Sequence, residues 1–220
     1  MSNDSENVAM PGLIARLVLP SAGVAEVLKR AEDIVLASVA VVLFAPLMAG
    51  VALAIRLDSP GPALFRQARH GRDGRIIRVC KFRTMRVDTG TGVAFRQTER
   101  DDPRVTRLGA LLRRTSLDEL PQLFNVLEGS MSMVGPRPHP VELDARFERL
   151  VPDLGARYAV KPGITGWAQI NGYRGATHRL EDMLGRVEHD RLYIRHWSLA
   201  FDLEILVRTL LGGWTHDNAY

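Results

Sequence analysis

The chain has 220 residues, with 29 lysines and arginines against 25 aspartates and glutamates and a formal net charge of +4 at pH 7. That length suits one ordinary domain plus an extra segment and leaves no room for a second full core. The single Cys80 excludes an intramolecular disulfide and a thiolate-rich metal centre, and six scattered histidines with no i, i+4 pair argue against zinc.

In chain order, MSNDSENVAMPG (1–12) reads as a disordered N-terminus. LIARLVLPSAGVAEVLKR (13–30) mixes apolar and basic residues and suits a membrane interface. Ile34 to Ile55 then carries 22 residues without a charge. A straight helix of that length spans about 33 Å, enough for a bilayer core of roughly 30 Å. The run starts too late and is too long for a cleavable signal. Pro46 lies near its middle, where it removes one backbone hydrogen bond, so a bend is expected there. Lys29 and Arg30 precede the run, and Arg56 to Arg86 holds nine basic residues against two acidic ones. Cationic flanks on both sides favour a segment that enters the membrane and turns back at Ala45-Pro46. The alternative is a kinked complete span with Met1 to Arg30 outside.

Beyond the membrane segment, HGRDGR (70–75) predicts a hairpin turn between ALFRQARH and IIRVCKFRTM, with Cys80 as a buried strand thiol. The polar stretch 86–103 reads as a mobile loop. VTRLGALLRRTS has helical apolar spacing, and LPQLFNVLEG predicts a short helix ending near Gly129. VELDARFERLVPDLGARYAV reads as mostly helical up to KPGITGW (161–167), and the C-terminal region as a long helix broken near Trp197 and Ser198. The balanced charge, with no basic patch interleaved with aromatics, argues against a nucleic acid partner. No oligomeric state is read from the sequence.

The chemistry concentrates in RRTSLDELPQLFNVL (113–127), where Asp118 and Glu119 stand between two arginines and a proline. Ser116 to Glu119 fits a capping box, and Pro121 suits a first helical position. A helix terminus together with Arg113 and Arg114 should keep Asp118 ionised beside an electropositive pocket suited to phosphate. Arg137, locked in Gly-Pro-Arg-Pro, and Lys81, in CKFRTM, are further members of an anion site.

KFRTM (81–85), SLDELPQLFNVLEGSMSMVGPRP (116–138) and KPGITGWAQINGYRG (161–175) together resemble the bacterial sugar transferases, the monotopic polyprenyl-phosphate phosphoglycosyl transferases. The likeness covers roughly Ala31 to Tyr220. It implies a helix-rich α+β enzyme whose catalytic part, residues 57–220, faces the cytoplasm. A re-entrant helix within 13–56, broken at Pro46, would hold it in the bacterial inner membrane. The implied reaction transfers a sugar 1-phosphate from a UDP-sugar to undecaprenyl phosphate and releases UMP, as the first membrane step of exopolysaccharide, capsule or O-antigen type glycan synthesis. By motif position, Asp118 matches the nucleophile and also faces a Mg²⁺ ion, and Glu119 matches its acidic neighbour. Lys81, Arg83, Arg113 and Arg137 fall on phosphate or substrate positions, and Arg174 on a nucleotide contact. Two departures stand out: Ala45 replaces a serine before the helix-breaking proline, and Arg174 lies one residue later than in some relatives. NGYRG and the segment after it are more similar to relatives that use UDP-glucose or UDP-galactose than to those acting on diacetylated amino sugars; glucose 1-phosphate is the expectation, with galactose 1-phosphate or an N-acetylamino-sugar phosphate as the alternative. Lacking the four-helix membrane domain of larger relatives, the chain is expected to be a minimal version. The non-enzymatic alternative is a membrane-anchored scaffold that binds anionic lipid through the arginines of 56–86.

Overall fold

A computed structural model describes residues 22–86, 102–175, 177 and 179–212. The expected disordered terminus, the first half of the interfacial segment and the bulk of the 86–103 loop lie outside these residues. Within them the fold is helix-rich with two small two-stranded sheets.

The first helix, α1, runs Ala22–Asp58, well upstream of the uncharged run. One stripe of it faces the protein: Ala37, Val41, Phe44, Met48, Val51 and Ile55 recur every three or four residues and join two core clusters. The other face leaves Val35, Val39, Val42, Leu43, Leu53 and Leu57 exposed. That division marks a helix packed on protein along one side and apolar towards its surroundings on the other. Both ends are tethered to the same body. Near the start, Arg30 donates to the carbonyls of Val126 (2.6 Å) and Leu127 (2.7 Å), and Lys29 pairs with Asp202 at 2.6 Å. At the far end, Arg83 donates to the carbonyls of Ile55 (3.2 Å), Ser59 (2.6 Å) and Pro60. The helix continues through exposed Pro46 without interruption. A proline deletes a single N–H, and the turns on either side keep their own bonds.

β1 (Leu64–His70) and β2 (Ile76–Phe82) form the predicted antiparallel hairpin, with His70 opposite Ile76. Its turn places Asp73 (φ 58°) and Gly74 (φ 70°) in the left-handed region, which explains the Asp-Gly pair. Helix α2 (Arg107–Arg114) starts at Thr106, whose side chain accepts from the Gly109 amide at 2.9 Å. Helix α3 (Gln122–Glu128) ends at Gly129 (φ 95°), as predicted. On α3, Asn125 takes the Cys80 amide (2.8 Å) and gives its own N–H to the Arg78 carbonyl (2.9 Å), seaming the helix to β2.

Two short strands lack any sequence signal. β3 (Ser132–Val134) and β4 (Gly163–Thr165) pair in parallel across about thirty residues of chain. Backbones approach so closely there that a Cβ on Gly163 would lie 2.1 Å from the Gly135 amide nitrogen. The expected helix after Val141 is shorter than predicted: α4 (Val141–Phe147) is followed by a separate 3-10 segment, Leu154–Ala159. The break at Trp197-Ser198 is present, after α5 (Trp167–Ile170), between α6 (Leu180–His196) and α7 (Leu199–Gly212). Val134, Trp167, Tyr193, Phe201 and Ile205 form the core there, with Trp167 edge-on to Phe201 at 4.9 Å.

Candidate active site

Asp118 and Glu119 lie on a 3-10 turn, Leu117–Glu119, between α2 and α3. The capping box expected from Ser116 does not form. Ser116 is left-handed (φ 56°), its side chain caps nothing, and α3 starts only after Pro121. A non-glycine residue in that region is strained by about 1–3 kcal/mol, and here it sits next to the carboxylates. Arg174 Nη2 donates to Ser116 Oγ and so holds the strained residue.

Glu119 captures two of the expected cations. Arg137 grips it with both guanidinium nitrogens, at 2.6 and 3.1 Å, and Lys81 Nζ donates at 2.8 Å. β2 delivers Lys81 because Asn125 seams that strand to α3. Arg113, in the last turn of α2, donates from Nε to Thr84 Oγ1 at 2.8 Å. Among the described residues, no side chain hydrogen-bonds to Asp118, although Lys81, Arg113 and Arg137 all act on its charge.

The two neighbouring acids therefore differ electrostatically. Burial works against ionising Glu119, yet Arg137 and Lys81 outweigh it and hold its carboxyl well below the usual range. Burial and then Glu119 push Asp118 up to about 6, against the pull of Lys81, Arg113 and Arg137. The firm ionisation expected for Asp118 is thus a narrow margin at neutral pH, because its neighbour takes the direct cation contacts. Burial lowers the proton affinity of Lys81 and Arg113, while Glu119 raises that of Arg137 against its burial.

Arg83 does not join this group. The phosphate role expected for it gives way to a structural one: buried, it binds the three carbonyls at the end of α1. The Ile55 carbonyl also accepts from the Ser59 amide at 3.2 Å, and a guanidinium serves several carbonyls at a chain turn at once. Arg69, which the sequence did not single out, takes a place beside the site. It donates to the Pro138 carbonyl at 2.8 Å, and burial followed by Arg137 lowers its proton affinity to about 10. Only the hairpin register, which sets Arg69 opposite Ile77, brings it there. The arrangement concentrates Lys81, Arg69, Arg113, Arg137 and Arg174 around two carboxylates, which suits a multiply charged anion.

Residues 24–215 match the family described as bacterial sugar transferase. The chain belongs to that family. A relative from Escherichia coli (strain K12), a UDP-glucose:undecaprenyl-phosphate glucose-1-phosphate transferase, is 53% identical over 91% of this chain and 43% of its own length. A protein of the same description from Caulobacter vibrioides is 50% identical over 87% of this chain and 72% of its own. Exopolysaccharide production protein PSS of Rhizobium leguminosarum bv. phaseoli is 45% identical over 88% of this chain and 98% of its own. Against the first of these, this sugar transferase chain spans less than half the relative's length.

Proposed function

We propose that this sugar transferase moves glucose 1-phosphate from UDP-glucose to undecaprenyl phosphate and releases UMP, with Asp118 as nucleophile. The observation that carries the reading is the division of labour between adjacent carboxylates. Glu119 is committed to Arg137 and Lys81, whereas no described side chain hydrogen-bonds to Asp118. A buried, uncommitted carboxylate beside several cations suits attack on a phosphorus atom; a committed one suits orienting those cations. The similarity to proteins described as glucose-1-phosphate transferases supports the choice of donor and acceptor.

In the first step an Asp118 oxygen attacks the sugar-linked phosphorus, and the bond from that phosphorus to the bridging oxygen breaks. UMP leaves with the electron pair. In the second step an oxygen of undecaprenyl phosphate attacks the same phosphorus and frees the Asp118 carboxylate. Lys81, Arg113 and Arg137 offset charge as it builds on the phosphoryl oxygens, and Arg174 keeps Ser116 and the nucleophile turn in place. Among the described residues no three His, Cys, Asp or Glu side chains converge into a metal cage. Mg²⁺ nevertheless fits the donor set in its usual mode, held by one carboxylate, here Asp118, together with substrate phosphate oxygens. When bound, it would cancel part of the diphosphate charge.

For topology we favour insertion into one leaflet of the bacterial inner membrane, with the catalytic part facing the cytoplasm. Support comes from the tethering of α1 at Arg30 and again at Ile55 to Pro60. A complete span would carry Lys29 and Arg30 to the opposite side, away from Asp202 and α3. The exposed apolar face of α1 would meet lipid. The scaffold alternative gives no reason for a buried Asp118.

The test is nucleotide release by detergent-held protein with Mg²⁺ and UDP-glucose, with and without undecaprenyl phosphate. Acceptor-dependent UMP, preceded by a stoichiometric burst that Asp118→Asn abolishes, is the expected result. Release of UDP would sink the reading, and UDP-galactose and UDP-N-acetylamino sugars in the same assay decide the sugar.

A further inference from the structure

Behind Arg137 lies a buried polar network that the proposed chemistry does not use. Arg157, 2% exposed, donates from Nη2 to the carbonyl of Arg137 at 2.7 Å. The same guanidinium is held by Asp190, 1% exposed, through Nε at 3.2 Å and Nη2 at 2.8 Å. Next along the chain, His139 is also buried, with Nδ1 2.9 Å from Asp144 and Nε2 2.8 Å from Arg186. Burial and then Arg157 hold the His139 ring neutral; Arg157 Nη1 also contacts its Nδ1, so the ring is enclosed by Asp144, Arg157 and Arg186. Asp144 further accepts from Tyr158 at 2.7 Å and lies 2.9 Å from His70 Nδ1. Two arginines thus balance two aspartates around a neutral ring.

The geometry of the Pro-Arg-Pro turn shows what this network does for Arg137. A peptide plane is rigid, so the two planes flanking a Cα set the direction of its side chain. The plane before Arg137 is pinned by Gly163, whose amide donates to the Pro136 carbonyl at 2.9 Å. The plane after it is pinned by Arg157. Pro136 restricts its own φ, and Pro138 confines Arg137 to the extended region, so what is left to settle is the rotation of the second plane within that region. Fixing that rotation by a neighbouring arginine brings a like charge up behind the catalytic guanidinium, and Asp190 cancels it.

We propose that Arg157, clamped by Asp190, is a positioning residue for Arg137: it locks the carbonyl of the Pro-Arg-Pro turn and so aims the guanidinium at the phosphate site. This rests on the phosphate role given to Arg137 above. Displacing such a group by about 1 Å costs up to about a hundredfold in rate. Loss of the Arg157 bond therefore lowers kcat/KM for the UDP-sugar by roughly ten- to a hundredfold.

The test replaces the buried pair with apolar residues, Arg157→Met/Asp190→Leu, because removing both charges avoids stranding one of them. It is compared with Arg137→Lys and with the triple variant, by UMP release and by the Kd of UDP with Mg²⁺ from calorimetry. The expected result is a variant with near wild-type thermal stability but at least tenfold lower kcat/KM, and no further loss when it is added to Arg137→Lys. A purely structural pair would regain activity together with stability. Wild-type kcat/KM in the stable pair variant, or an equal further loss in the Arg137→Lys background, overturns the proposal. If the pair variant does not fold, Arg157→Lys, which keeps charge but loses the fork, enters the same cycle under the same criteria. An Arg137→Lys enzyme with unchanged kcat/KM and UDP affinity would instead overturn the phosphate role of Arg137, and the proposal with it. Absence of UMP from the wild type would overturn the reaction alone, and the UDP affinities would still decide whether Arg157 acts through Arg137.

Discussion

Asp118→Asn should make the folded protein more stable at neutral pH while abolishing its chemistry. Asp118 is only 9% exposed, and burial followed by Glu119 raises its carboxyl from 3.8 to about 6. Ionising it in the fold costs about 3 kcal/mol relative to the unfolded chain, at about 1.4 kcal/mol per tenfold change in proton affinity. An asparagine of the same shape removes that cost. For a chain of this size the gain corresponds to roughly 6–12 °C in unfolding midpoint. The pH dependence gives the reasoning its sharper test. Below about pH 4 the side chain is protonated in both folded and unfolded wild type, and the two proteins should unfold together. Between about pH 4 and 6 the unfolded chain ionises while the folded one holds its proton, so wild-type stability falls relative to the variant. Above about pH 6 the difference should be constant. Thermal unfolding of both proteins in one detergent, from pH 4 to 8, measures this directly. A variant no more stable than wild type at pH 7.5, or a gain of equal size at pH 4, would refute the claim that the nucleophile is held at an energetic cost.

Glu119→Gln acts in the opposite direction. It leaves Lys81 and Arg137, both half-buried, without their anion, and should cost about 1–3 kcal/mol in denaturant unfolding; a change under about 0.5 kcal/mol would show that the cations find other partners. It also removes the charge next to Asp118, so the acid limb of any residual activity should move to lower pH. Arg83→Met should loosen the end of α1 by about 3 kcal/mol and increase protease cleavage near Ser59, with KM for UDP-glucose unchanged; a raised KM with intact stability would return Arg83 to the phosphate site. Gly163→Ala forces a Cβ against the Gly135 backbone, where the clash cannot be relieved by a side chain. It should destabilise by at least about 1–3 kcal/mol and lower turnover through the Pro-Arg-Pro turn; full activity and stability would mean that the turn tolerates displacement.

The sequence by itself determined the features set by neighbours in the chain. The Asp73-Gly74 turn requires left-handed backbone and so announced the hairpin, Gly129 announced the end of α3, and the uncharged run from Ile34 to Ile55 announced a helix with an apolar face. The three motifs marked the family and brought Asp118, Glu119, Lys81, Arg113 and Arg137 under suspicion together. What the tertiary structure decided is how the partners are distributed. Whether Arg137 and Lys81 serve Asp118 or Glu119 depends on how a strand and a Pro-Arg-Pro turn meet a 3-10 turn, and no local spacing encodes that. Arg83 lies two residues beyond Lys81, yet the carbonyls at the end of α1 claim it for structure. Ser116 matched a capping box because that pattern records residue types, whereas its actual role depends on a left-handed backbone and on Arg174, 58 residues away. The pinning of Arg137 by Arg157 and Asp190 was likewise invisible, since a buried charge finds its counter-ion through packing between elements distant in the chain.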